Sequence, residues 1–181
     1  MGKARWTSND NIFLVGPMGA GKTTIGLQIA RQFGRHFYDS DKEIEKRTGA
    51  TIPLIFELEG EEGFRKRESQ VIQSLAELKQ AIIATGGGAV IKAENRAVLK
   101  EHGLIIYLKA DLEHLLERTQ KDKNRPLLQT ENPKLRLKEI LEQREPLYEE
   151  VADIVVKTGD QSIKSVVEHI TRLIKAKLGS L

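Results

Sequence analysis

Short apolar runs alternate with longer stretches of helical spacing along this chain. Residues 12–15, those around Phe37 and Tyr38, and residues 81–84, 104–108 and 154–156 are apolar runs of strand length. Between them apolar positions recur with the helical period: Ile25, Ile29, Ala30 and Phe33; Val71, Ile72 and Leu75; Leu112, Leu115 and Leu116; and, over the longest span, Ile163, Val166, Val167, Ile170, Leu173 and Ile174. About five strands interleaved with helices predict an α/β domain, a parallel sheet covered on both faces whose ligands gather at the carboxyl edge. Two stretches break the alternation. Residues 51–63 are rich in glycine and acids, and residues 119–132 are polar, basic and carry Pro126. Both are read as excursions from the core, the second as a mobile lid.

Composition narrows the class without choosing a chemistry. With 181 residues, 39% hydrophobic and 30% charged, the chain suits one compact soluble domain with a substantial core. The absence of cysteine excludes disulfides, thiolate metal sites and cysteine nucleophiles. A membrane-length apolar stretch is missing, and the polar residues 1–11 lack the apolar core of a signal peptide, so a cytoplasmic location is expected. A net charge of +3, with bases and acids interleaved, reads as a solvated surface plus a few anion ligands, with neither nucleic acid nor membrane as partner.

Chemistry enters at residues 16–23, Gly-Pro-Met-Gly-Ala-Gly-Lys-Thr, which fit the phosphate-loop pattern G-x-x-x-x-G-K-[ST] between a predicted strand and a predicted helix. Glycines let backbone N–H groups approach phosphate oxygens, and the helix starting near Lys22 turns its positive dipole end toward the same charge. Lys22 supplies a full charge for the outer phosphates, and the Thr23 hydroxyl suits a magnesium shell completed by water and phosphate.

Further candidates fall at the predicted strand ends. Asp39-Ser40-Asp41 follows the second strand, and two acids two apart there face the bound phosphates, one toward magnesium-bound water and one toward a substrate hydroxyl. The same letters also form a helix start, with Ser40 and Glu43 as a capping box. Thr85-Gly86-Gly87-Gly88 follows the third run, where consecutive glycines imply positive φ, a ligand against the backbone, or a plain turn.

Three arginines qualify as anion ligands. Arg65 lies on a helix with Glu68 one turn later to fix its guanidinium, or else as one solvated charge in a run of charges. Arg144 continues the apolar stripe of Leu137, Ile140 and Leu141 in a helix that starts at Asn132-Pro133. An inward guanidinium needs an anion, either a ligand or an internal carboxylate. Arg125, held extended by Pro126, is an arm over the phosphates or a loop charge among Lys121 and Lys123.

Taken together these segments resemble the shikimate kinase family. The resemblance runs from Asn11 to about Val167 and rests on residues 16–26, Asp39-Ser40-Asp41, Gly-Glu-Glu-Gly-Phe-Arg at 60–65, Thr-Gly-Gly-Gly at 85–88, Arg125-Pro126-Leu127-Leu128, and the run Arg-Glu-Pro-Leu-Tyr-Glu-Glu-Val-Ala-Asp at 144–153. It implies a phosphate-loop kinase fold of three layers as a single domain, with a substrate-binding segment at about 40–68 and a lid at about 119–132. The implied reaction is ATP-dependent phosphorylation of the shikimate 3-hydroxyl, a step toward chorismate and the aromatic amino acids, by a cytoplasmic monomer. By the same resemblance, ATP would bind at Gly19, Ala20, Gly21, Lys22, Thr23 and Thr24, with Arg125 on its phosphates and Gln161 near the base. Mg2+ would take Thr23 and Asp39; shikimate would take Asp41, Arg65, Gly87 and Arg144; and Lys22, Asp41 and Arg125 would be catalytic. Thr23 stands where many members have serine, and either hydroxyl can bind the metal. Residues 1–10 carry no family motif. Rival readings are another small-molecule kinase, of gluconate or a nucleoside monophosphate, and a nucleotide-binding module without turnover; a GTPase is disfavoured because no Asn-Lys-x-Asp segment occurs.

Overall fold

Residues 5–120, 122 and 125–178 are described in this computed structural model. Five parallel strands, β1 (Asn11–Val15), β2 (Phe37–Asp39), β3 (Ile82–Ala84), β4 (Gly103–Ala110) and β5 (Ile154–Thr158), form one sheet in the order β2-β3-β1-β4-β5. Each predicted apolar run is a strand. The central strand β1 is buried throughout, and its alternate side chains divide between two cores. Ile12 and Leu14 join Ile25, Ile29, Val167 and Ile170 on one face, while Phe13 and Val15 join Ile44, Val71, Ile72 and Tyr148 on the other. That period-two split is what a sheet covered on both faces requires, and it gives the three layers.

The helices are α1 (Lys22–Phe33), α2 (Ser40–Thr48), α3 (Ile52–Ala76), α4 (Ala93–His102), α5 (Leu112–Thr119), α6 (Pro133–Val151) and α7 (Ile163–Leu178), with a 3-10 turn at Pro126–Leu128. Two expectations change. Residues 51–63 are not an irregular excursion: Thr51 caps α3 by accepting from Leu54 N–H, proline occupies the first turn, and Ile55 is buried. Gly60, at φ 70° and ψ −178°, kinks the helix there, which is why glycine and acids obscure its period. Helix α4 has no counterpart in the apolar pattern, because only Asn95 and Leu99 of it are buried. The Ser40 capping box is also replaced. Asp39 caps α2, its Oδ1 accepting from Asp41 N–H at 3.0 Å and Lys42 N–H at 3.2 Å, while the Ser40 hydroxyl accepts from Gly86 N–H at 2.9 Å.

Because all strands are parallel, their carboxyl ends share one edge. β1 runs into the glycine loop, β2 into Asp39 and α2, and β3 into the Thr85 loop, and β3 lies between β1 and β2. No helix of the described residues is long and apolar enough to cross a membrane.

Candidate active site

The loop after β1 is shaped for phosphate. Gly16 adopts φ +147°, and a Cβ there would lie 2.6 Å from the Leu108 carbonyl oxygen, so only glycine fits. Gly21, at φ 97°, starts α1 and leaves the first N–H groups of that helix facing the pocket lined by Gly19, Lys22, Thr23, Thr24, Asp39, Asp41 and Arg125. Lys22 Nζ donates to the carbonyls of Gly16 at 2.7 Å and Pro17 at 2.9 Å. Burial, with Arg125 next in weight, lowers its pKa to about 8. Thr23 donates its hydroxyl to Asp39 Oδ2 at 2.8 Å. With its other oxygen fixed by the cap of α2, the Asp39 carboxylate is held at both ends.

Ala20, Gly21 and Thr24 also line a second hollow with Gln161, Thr158 and Gly159. Arg118 belongs here too. It reaches from α5 to donate to the Gly19 carbonyl at 2.9 Å, and sequence reasoning missed it because nothing local marks a contact 99 residues away.

On the other side of Asp41 lies a pocket lined by Met18, Ile52, Phe56, Phe64, Arg65, Glu68, the three loop glycines, Arg125, Pro126, Leu127 and Arg144. It shares Asp41, Gly86, Gly87 and Arg125 with the phosphate pocket. The two therefore form one cleft that is continuous past Asp41. None of Gly86, Gly87 and Gly88 has positive φ; they admit close approach instead. A Cβ on Gly86 would lie 2.6 Å from Asp41 Oδ1 and 2.9 Å from Glu68 Oε2, and one on Gly88 would overlap the Arg65 guanidinium.

Arg65 and Arg144 both enter this pocket and both are buried, but their partners differ. Arg65 is paired with buried Glu68 at 2.9 Å and with Glu61 at 3.3 Å, which realises the one-turn pairing read from sequence. Arg144 follows Leu137 and Ile140 on the buried stripe of α6, whose start is capped by Asn132. No carboxylate among the described residues forms an ion pair with it, and burial lowers its pKa. The cation is thus set in the wall of a cleft with Glu68 acting on it only from beyond ion-pair distance, an arrangement that suits an anionic ligand. Glu68, in turn, has its pKa raised by burial, with Arg65 opposing.

Asp41 sits where the two halves meet. Its carboxyl is pushed up to about 6, first by burial, then by Glu68 and Asp39, against the pull of Arg125 and Lys22. Arg125 approaches Asp41 at 3.8 Å and Asp122 at 3.0 Å, so this arginine faces the cleft. Lys121 and Lys123, read with it as loop charges, lie outside the described residues.

A phosphate cradle joined to a pocket with a buried arginine that forms no ion pair among the described residues describes a kinase for a small anionic acceptor. The family model for shikimate kinase matches residues 18–175. The chain belongs to the shikimate kinase family. It is accordingly an enzyme, a kinase that phosphorylates shikimate. Shikimate kinase of Methylococcus capsulatus is 59% identical over 88% of this chain and 89% of its own, and that of Nitrosococcus oceani is 55% identical over 94% and 90%. Among solved structures, shikimate kinase from Acinetobacter baumannii in complex with shikimate superposes with a TM-score of 0.91 at 51% identity, covering 93% of this chain and 94% of that one. The sheet order and helical layers described above are those of this family's fold.

Proposed function

We propose that the chain transfers the γ-phosphoryl group of ATP, bound with Mg2+, to the 3-hydroxyl of shikimate, giving shikimate 3-phosphate and ADP, with roles divided along the cleft. The observation that carries this division is the sharing of Asp41, Gly86, Gly87 and Arg125 by the phosphate pocket and the arginine-lined pocket. Amides of Gly19, Ala20, Gly21, Thr23 and Thr24, the N-terminus of α1 and Lys22 hold the phosphates; Gln161 lies toward the base. Thr23 and Asp39 offer only oxygen donors, a set that suits Mg2+ with water and phosphate oxygens completing its shell. When bound, the ion neutralises charge on the phosphoryl group.

Arg65 and Arg144 grip the acceptor's carboxylate, and the Gly87 backbone lets the ring lie close. Asp41, ionised above pH about 6, receives the proton of the attacking hydroxyl or orients it in line. Arg125 neutralises charge from the lid, and closure of residues 119–132 over the cleft excludes water, which would otherwise accept the phosphoryl group. Residues 40–68 form the substrate-binding segment of a single domain, acting as a cytoplasmic monomer. An ADP-release assay with shikimate, gluconate and nucleoside monophosphates, with and without Mg2+, tests the reading. Mg2+-dependent release with shikimate alone is expected; release with another acceptor and none with shikimate overturns it.

A further inference from the structure

Arg144 forms no ion pair with a carboxylate among the described residues, yet a guanidinium that binds an acid tightly has to be oriented beforehand. One turn further along α6, Tyr148 supplies the means. Its side chain is 1% exposed, and a phenol buried this deeply needs a hydrogen-bond partner. The hydroxyl donates to the carbonyl oxygen of Gly87. Arg144, one turn earlier on the same helix, brings its guanidinium to the same peptide, with Nη1 3.5 Å from where a Gly87 Cβ would stand, and its charge acts on the phenol. On the other side of the ring, Tyr107 on β4 stacks at 5.0 Å with planes 30° apart, so the ring has little freedom. Gly87 is closely surrounded: a Cβ there would lie 3.3 Å from Met18 N, 3.5 Å from Arg144 Nη1 and 3.7 Å from the Gly16 carbonyl oxygen.

We propose that Tyr148 is a positioning residue for the acceptor: its hydroxyl ties the Arg144 guanidinium to the Gly87 peptide and so fixes where the acceptor's carboxylate is held relative to the phosphate loop. The inference rests on the reading that Arg144 receives that carboxylate. It adds that the acid clamp is pre-set by a neutral buried hydroxyl, which orients the cation without competing for it as a carboxylate would.

Tyr148→Phe deletes the hydroxyl and keeps the ring and its stacking. Steady-state kinetics should show KM for shikimate raised about tenfold, the scale of one lost buried hydrogen bond, with kcat and KM for ATP within about twofold. In an Arg144→Lys background, where the planar fork is already gone, the same substitution should change KM for shikimate by less than about twofold. Tyr107→Phe, which leaves the Gly87 contact in place, should leave it unchanged. An unaltered KM for shikimate in Tyr148→Phe overturns the proposal; so do a full tenfold effect in the Arg144→Lys background and an equal rise in KM for ATP, which would mark general loosening. If Arg144→Lys by itself leaves KM for shikimate unchanged, the reading of Arg144 as the acid ligand falls and the proposal with it. If Arg144→Lys raises KM while Tyr148→Phe does not, only the role of Tyr148 falls.

Discussion

Asp41→Asn should yield a protein that is more stable than the parent and nearly inactive. In the folded protein the carboxyl is raised from 3.8 to about 6 by burial and by the Glu68 and Asp39 carboxylates. An acid with a raised folded pKa contributes stability that is fully present below its unfolded value and is lost as pH rises through the folded one. Above pH 6 the fold therefore carries an ionised Asp41 at a cost. A two-unit displacement corresponds to about 3 kcal/mol, and about 2 kcal/mol is the better expectation because 22% of the side chain remains open to water. Asparagine has nearly the same shape and no charge to bury. At pH 7.5, urea unfolding should show the variant more stable by about 2 kcal/mol, or roughly 4–8 °C in melting temperature for a domain of this size. The difference should shrink between pH 6 and 4 and vanish below that, where the parent's Asp41 is protonated in both states. Turnover should fall at least about a hundredfold, the scale of a lost acid–base group, with ATP affinity nearly intact. A variant less stable at pH 7.5, a stability difference indifferent to pH, or near-normal turnover would refute the reasoning.

The two arginines should separate in stability while agreeing in binding. Arg144→Ala should raise KM for shikimate about a hundredfold through loss of charge-assisted bonds to the acid, with no fall in melting temperature, because no carboxylate among the described residues is left unpaired. Arg65→Ala should also weaken shikimate binding and, in addition, cost about 3 kcal/mol in urea unfolding at pH 7.5, because Glu68 loses its partner at 2.9 Å; adding Glu68→Gln should recover most of that loss. The pH profile of kcat/KM for shikimate should fall tenfold per unit below about pH 6, following protonation of Asp41 in the free enzyme, and this limb should be absent in Asp41→Asn.

The centre of the sheet was legible because β1, β3 and β4 are buried on both faces and so appear as uninterrupted apolar runs, as in residues 104–108. The phosphate loop was legible because spacing and context coincide around Gly16, Gly21 and Lys22. Arg144 was legible as a charge on the stripe continued by Tyr148 and Val151. What escaped was non-local or weakly patterned. Helix α4 buries too little to leave a stripe. Residues 51–63 conceal a helix behind acids and Gly60. The cap of α2 passes from Ser40 to Asp39 because the Ser40 hydroxyl is engaged by Gly86, 46 residues away. The meeting of Asp41 on α2 with Arg65 and Glu68 on α3 around Gly86 and Gly88, in the loop after β3, depends on segments brought together by the sheet order.

A crystal structure with ADP and shikimate tests the central spatial claim most directly. The acceptor's carboxylate should lie between the guanidinium groups of Arg65 and Arg144, with its 3-hydroxyl within hydrogen-bond reach of Asp41 and facing the phosphate loop. Shikimate bound elsewhere, or with its carboxylate turned away from both arginines, would contradict it.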